Sequence, residues 1–306
     1  MKDAVLLLGF NRPALLARVI DHVRAAEPPR VYLAVDGARV GRAGEQEAVR
    51  ATQALASSLD WGCSVQTLFQ PENLGCGRGV STAVTWFFDH EQRGIILEDD
   101  LLPRSTFFPY CEELLDRYET DERVFAVSGC NYVPEEFITH PEDAYRFSRI
   151  PHIWGWATWR RSWSRYDWNI AGWRDRLPAN RLYESSGRSI LGTAYWWSTF
   201  ELMARHHVDT WDAQLVFAAM ANRGLTATPN VNLVENIGFG ADATHTVRQP
   251  DHLLGTAEVL LPMSPVDVVV DERADAWTRK HHFRATIPGF AVQGARYLRR
   301  RLGSST

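Results

Sequence analysis

Glu98, Asp99 and Asp100 follow one another directly after the apolar run at residues 94–97 (GIIL). Three adjacent carboxylates repel one another and are costly to desolvate unless a cation compensates them. Hard oxygen donors with no His or Cys beside them suit Mg2+ or Mn2+, ions that bridge protein carboxylates and substrate phosphates. A solvated acidic turn after a strand has the same sequence signature. Asp36, in AVDG, reads either as a turn residue or as a nucleotide contact at a strand end. Residues 72–79 (ENLGCGRG) are a glycine-rich entry to a helix. Glycine permits close backbone approach there, and Arg78 is a bidentate donor suited to phosphate. The spacing is not that of a P-loop. Trp211-Asp212 precedes a helical pattern, so Asp212 is either an N-cap or a general base for a substrate hydroxyl. His245 stands between Thr244 and Thr246 in the glycine-containing stretch 237–246, as an exposed loop histidine or a lid residue touching phosphate or metal.

Tryptophan is the other concentration of chemistry. The chain has 12, and nine of them fall between Trp154 and Trp211. Trp156, Trp159 and Trp163 approximate helical spacing and read as a core stripe. Trp154 and Trp156, beside Gly155, also fit a loop that presents a flat face to a sugar.

The elements that must position these residues alternate in the first hundred residues. Residues 4–10 (AVLLLGF) suit a buried strand. Pro13 then opens a helix carrying Leu15, Leu16, Val19, Ile20 and Val23 at helical spacing. Residues 30–36 form a second strand, 44–57 a polar helix, 64–69 a third strand, 79–90 a helix and 94–100 a fourth strand. A helix over 105–120 and a strand over 123–129 follow. From Asn131 the pattern loosens into aromatic and arginine-rich loops, with helical character returning over 194–206 and 213–223. Strands alternating with helices predict an α/β fold: a mostly parallel, Rossmann-like sheet with helices on both faces, followed by a loop-rich, Trp-rich half. In such sheets ligands bind outside the carboxyl ends of the strands. Asn11, Arg12, Asp36 and the 98–100 carboxylates all stand at such ends.

Composition narrows the class. The chain has 306 residues, 33 Lys+Arg against 37 Asp+Glu, 45% hydrophobic residues and a formal charge of −4. That balance excludes intrinsic disorder and argues against a dedicated nucleic-acid binder. No run approaches the ~20 apolar residues of a bilayer-spanning helix, and the N-terminal apolar run lacks a small-residue cleavage site. Cys63, Cys76, Cys111 and Cys130 form no CxxC pair, so neither a zinc site nor a disulfide framework is suggested. The expectation is a cytoplasmic protein with reduced thiols. Arg296, Arg299, Arg300 and Arg301 near the C-terminus read as a solvated helix end or as a peripheral contact with anionic lipid at the inner membrane face.

Residues 95–118 (IILEDDLLPRSTFFPYCEELLDRY) resemble the segment of N-acetylglucosaminyltransferase I and its bacterial relatives that carries their acidic metal motif. FNRP after the first strand and DG after the second are similar to that family's nucleotide-contacting strand ends. FSRIPHIWGWATW resembles its Gly-Trp acceptor-side segment. TWDAQLVFAAMANRG followed by TPNVNLVENIGFGADATHT resembles its Trp-Asp base region, Arg-Gly turn and substrate-closing loop. The blocks run in order over residues 4–246, and several ordered blocks are more specific than one motif.

The resemblance implies a GT-A fold and an inverting glycosyltransferase with a nucleotide-diphosphate sugar donor and Mn2+ or Mg2+. It makes Asp100 the metal ligand and Asp212 the general base. Glu98 and Asp99 would orient the donor sugar and the metal's water shell, and Asp36 would hold base or ribose. Asn11, Arg12 and Arg78 would line the nucleotide site, Trp211 would pack against the donor sugar, and His245 would belong to the lid. Trp154 and Trp156 fall on the acceptor side, whose saccharide, lipid-linked or small-molecule occupant the resemblance does not specify. One domain spanning 1–306 is expected, with a nucleotide-sugar half (1–130), an acceptor and catalytic half (131–250) and a C-terminal extension (251–306). Two rivals remain. A sugar nucleotidyltransferase would carry a glycine-rich N-terminal loop with a basic residue, which LLLGFNRP lacks. A non-catalytic carbohydrate-binding protein would account for the tryptophans but not for the carboxylate run.

Overall fold

The computed structural model describes residues 1–206, 208–239 and 254–289. Ten strands are present among them: β1 (Ala4–Gly9), β2 (Arg30–Val35), β3 (Ser64–Phe69), β4 (Arg93–Glu98), β5 (Leu101–Pro103), β6 (Val124–Ser128), β7 (Tyr145–Ser148), β8 (Trp156–Trp159), β9 (Leu225–Pro229) and β10 (Val234–Asn236). The longer helices are α1 (Pro13–Ala26), α2 (Glu45–Ala54), α3 (Gly75–His90) and α4 (Phe107–Arg117). Three short ones follow, α5 (Arg160–Trp163), α6 (Trp173–Arg176) and α7 (Ala179–Ser185). Then come α8 (Ile190–Ala204), α9 (Asp212–Ala221) and α10 (Glu272–Trp277). None of the described helices is long and apolar enough to cross a membrane.

Eight strands make one sheet in the order β3-β2-β1-β4-β8-β6-β9-β7, and β5 pairs with β10 as a separate antiparallel ribbon. Six strands of the large sheet run one way, while β7 and β8 oppose them. Strand order reverses between β1 and β4, because the chain winds outward through β2 and β3 and then returns to the other side of β1. The crevice at that reversal is where open α/β sheets bind ligands. Register brings the ends level there, with Leu8 opposite Glu98 and Gly9 opposite Val35. The residues that follow, Phe10, Asp36 and Asp99, therefore emerge together.

Side-chain alternation along the strands divides the core into two layers. Val5, Leu7, Val31, Leu33, Ile95 and Leu97 pack under α1, α2 and α4. Leu6, Leu8, Tyr32, Ala34 and Ile96 pack under α3 and α9. A third cluster joins α8 to α9 through Trp196, Phe200, Met203, Val216 and Phe217. The segment after residue 253 is tied to the rest by carboxylates. Glu258 accepts from the backbone N–H of Thr106 at 2.9 Å, beside the start of α4. Asp275 accepts from the Ser148 hydroxyl at 2.6 Å.

Three sequence expectations change. The helix expected from Gly79 begins four residues earlier, at Gly75, and the one expected over 105–120 is confined to Phe107–Arg117. Trp156 and Trp159 lie on a strand, not a helix, because β8 is inserted between β4 and β6 and takes hydrogen bonds from both. Trp156 consequently packs with the α3 layer and Trp159 with the α1 layer.

Candidate active site at the strand ends

A cavity of about 750 Å3 opens beyond the carboxyl ends of β1, β2 and β4, within the size range of small-molecule sites. Arg12, Asp36, Glu98, Asp99, Asp100, Trp154, Trp211 and Asp212 all line it. These residues come from five separate stretches of chain, and the fold brings them to one space.

Arg12 follows β1 closely and is turned onto the acidic run. Its guanidinium pairs with Asp99 through two nitrogens, and its Nη1 reaches Asp100 Oδ2 at 3.0 Å. Asp99 is 3% exposed. Burial pushes its carboxyl up to about 6, with Arg12 pulling the other way. Glu98 is pushed up further, to about 8, first by burial and then by Asp100 and Asp99, with Asp212 adding to the repulsion. The acidic run is thus not a solvated turn. One arginine compensates part of its charge, and the Glu98 carboxyl has no hydrogen bond among the described residues.

The donor set can be judged for a divalent ion from these contacts. No group of three or more His, Cys, Asp or Glu converges into a protein-only cage among the described residues. Asp99 is committed to Arg12. Asp100 keeps one oxygen outside that pairing, and Gly238 lies so close that a Cβ there would stand 2.0 Å from its Oδ2. A single available carboxylate with an uncompensated one beside it fits an ion that takes its remaining oxygens from water and a bound phosphate. It does not fit a resident structural metal.

Asp36 has a different local role. It accepts from the backbone N–H groups of Gly37 (2.9 Å), Leu74 (2.9 Å) and Gly75 (3.1 Å), and from the Asn73 amide at 2.9 Å. Burial holds it above the usual carboxylate range against the pull of those donors. The next two N–H groups, of Cys76 and Gly77, go to Asp209 at 3.0 and 2.8 Å. Two carboxylates therefore seat the N-terminus of α3, where orphan donors and the helix dipole favour negative charge. The glycines serve this close approach. A Cβ on Gly77 would lie 2.1 Å from the Trp168 ring, and one on Gly75 would lie 2.6 Å from Asp209. The glycine-rich entry receives protein carboxylates along these N–H groups, not an open phosphate cradle.

Three expected site residues are displaced. Arg78 is exposed and off the cavity wall. With α3 starting at Gly75, Cys76, Gly79, Val80 and Ala83 form the cavity face, and the 3.6-residue period turns Arg78 away. Asn11 is also absent from the wall, and its amide donates to Glu45 at 3.2 Å. Trp156 is 1% exposed and lies behind Trp211, with ring centroids 5.5 Å apart. It is core, because its strand is covered by α3 and α9. His245 and Arg296, Arg299, Arg300 and Arg301 lie outside the described residues.

Asp212 is the first residue of α9. Its Oδ1 accepts from the Thr210 hydroxyl and from the Ala213 N–H at 2.8 Å, while Oδ2 takes no hydrogen bond among the described residues. Trp211 lines the wall, and its carbonyl accepts from the Tyr166 phenol at 3.2 Å. Sequence reasoning missed Asp209, two residues before Trp211, and it missed most of an aromatic wall. Phe239, Trp154, Tyr132, His282 and Phe283 line the cavity as neighbouring rings, with successive centroids 5.9, 5.4, 4.4 and 4.9 Å apart. Tyr195 and Trp196 continue it from α8, at 5.5 and 5.1 Å from Phe283. The only local signal for these was aromatic content.

The sequence matches no family model and no curated protein. Among solved structures, the chain is similar to residues 1–349 of TarS from S. aureus at 10% identity and a TM-score of 0.41. That match covers 75% of this chain and 58% of TarS 1–349, so the chain spans little more than half of it. The inositol-1-phosphate CTP transferase from T. maritima matches at 10% identity and a TM-score of 0.38, over 80% of this chain and 92% of that one. Mouse xyloside xylosyltransferase 1 matches at 13% identity and 0.35, over 72% and 81%.

Proposed function

We propose that the protein is a metal-dependent, inverting glycosyltransferase that moves a sugar from a nucleoside diphosphate donor to an acceptor hydroxyl. One observation carries the reading: Asp212 and the Glu98–Asp100 run line a single cavity at the strand-order reversal of the sheet. A carboxylate base and an acidic cation site in one space are what such a transfer requires. The base and ribose of the donor belong beside Phe10, Asp36 and Asn73 at the ends of β1 and β2.

Asp212 accepts the proton of the acceptor hydroxyl as its oxygen attacks the anomeric carbon. The bond from that carbon to the diphosphate oxygen breaks, and its electron pair leaves with the diphosphate. The Thr210 hydroxyl and the Ala213 N–H hold Oδ1 of Asp212, leaving Oδ2 to take the proton. Asp100 would hold Mg2+ or Mn2+ together with the donor's diphosphate oxygens, and that ion supplies charge neutralisation to the leaving group. Arg12 keeps Asp99 and Asp100 in register beneath the diphosphate. Trp154 belongs to the acceptor side.

The test is incubation with Mn2+ and a panel of nucleotide sugars, followed by release of the nucleoside diphosphate. Slow metal-dependent release is expected. Asp212→Asn should abolish it while donor binding survives, and Asp100→Ala should lose the metal-dependent part of nucleotide binding. Retained turnover in Asp212→Asn removes that residue from the base role. Pyrophosphate exchange in place of diphosphate release would replace the reading with nucleotidyl transfer.

A further inference from the structure

The cavity has a second lobe that neither the carboxylates nor a nucleotide accounts for. It lies between α8 and α9. Residues 195, 196 and 199 present Tyr195, Trp196 and Thr199 on one face of α8, as the helical period requires. Ala213 and Val216 stand on α9 immediately beyond Asp212, and Phe283 closes the lobe against Tyr195 and Trp196.

Its polar inventory is short. The Thr199 hydroxyl already donates to the Tyr195 carbonyl at 2.9 Å. The Thr210 hydroxyl is likewise given to Asp212. That leaves the Tyr195 phenol, the Trp196 indole N–H and the carboxylate of Asp212. A pyranose carries several hydroxyls, and each one buried without a partner is costly. An aromatic or aliphatic body carrying one hydroxyl loses little on entering such walls, and burial of its apolar surface is favourable. The phenol of Tyr195 is pushed up to about 12 by burial, with Asp212 adding to the shift, so it stays a neutral donor at the lobe's edge.

Building on the transfer reading above, we infer that the acceptor is an apolar alcohol, whose hydrocarbon body fills the lobe between α8 and α9 and whose hydroxyl meets Asp212. The acceptor is then not a saccharide bound through its hydroxyls. Aromatic and isoprenoid alcohols share this chemistry.

The experiment uses the full chain and three probes, 2-naphthol, farnesol and methyl α-glucoside, with binding followed by calorimetry and saturation-transfer NMR. One of the two apolar alcohols should bind, and which one identifies the source, while methyl α-glucoside should not bind. Ala213→Leu fills the lobe from α9 and should weaken the alcohol at least ~10-fold. Thr199→Leu does the same from α8 and serves if the first variant does not fold. Tighter binding of the glucoside than of either alcohol overturns the inference. So does alcohol affinity unchanged in a folded lobe-filling variant. The transfer reading is scored separately, by thermal stabilisation of the same protein with UDP, GDP or TDP and Mn2+. Alcohol binding that is lost on filling the lobe, with no response to any nucleotide, keeps the ligand class and removes the transfer reading. Nucleotide binding together with glucoside binding does the reverse.

Discussion

Arg12→Met isolates the contact that makes the acidic run tolerable inside the fold. Methionine replaces much of the apolar stem of arginine and removes only the charged fork. Asp99, 3% exposed in the wild type, then loses its two-nitrogen partner. With Arg12 present, Asp99 titrates at about 6 in the folded protein, against about 3.9 in an unfolded chain. A carboxyl whose folded pKa is the higher one favours folding below about pH 4, and that contribution is lost as pH rises to the folded pKa. In the wild type the loss ends near pH 6. Without Arg12 the remaining forces of burial and Asp100 carry the pKa higher, and the loss continues. Each further pH unit costs about tenfold in the folding equilibrium. If Asp99 stays protonated to about pH 8, the gap between variant and wild type widens by about 3 kcal/mol from pH 6 to pH 8. That is comparable to the ~3–5 kcal/mol typical of breaking one side of a buried ion pair. Glu98 already titrates at about 8 with Arg12 present, so its own further rise adds to the gap only above this window. Urea unfolding of both proteins near pH 6, 7 and 8, followed by tryptophan fluorescence and circular dichroism, reads the gap directly. A gap that stays constant with pH would refute the reasoning, since Asp99 would then not depend on Arg12 for its charge.

Two further outcomes concern the start of α3. Gly77→Ala puts a methyl group 2.1 Å from the Trp168 ring and 2.8 Å from Asp209 Oδ1, and the overpacking should cost about 1–3 kcal/mol in urea unfolding. An unchanged midpoint would mean that this turn is not packed as described. Asp209→Asn leaves one oxygen acceptor for the two N–H groups of Cys76 and Gly77 and should cost about 0.5–2 kcal/mol. Amide hydrogen exchange should quicken at those two residues first, and equal protection in variant and wild type would count against the cap.

The sheet of the first hundred residues was legible because its signals are local. Apolar runs of strand length, a proline at the first turn of α1 and turn residues between elements specify the alternation without reference to distant chain. The start of α3 was not legible, since its first donors are satisfied partly by Asp209, more than 130 residues away. The spacing of Trp156, Trp159 and Trp163 suggested a helix. β4 and β6 flank that segment and supply its hydrogen bonds, so it became a central strand with Trp156 and Trp159 on opposite faces. Burial of these rings followed from their chemistry in either geometry. Their secondary structure did not.

By itself the sequence determined the α/β alternation, the carboxylates at the end of β4 and the aspartate that opens α9. These depend on short-range periodicity and on the cost of desolvating adjacent charges. Only the tertiary structure decided which groups share one cavity. It turned Arg12 onto Asp99 and Asp100, left Arg78 in solvent, and tied Asn11 to Glu45. It also assembled an aromatic wall from Tyr132, Trp154, Tyr195, Trp196, His282 and Phe283, which are scattered over 150 residues of chain. Such neighbours are chosen by long-range packing, and no local pattern encodes them.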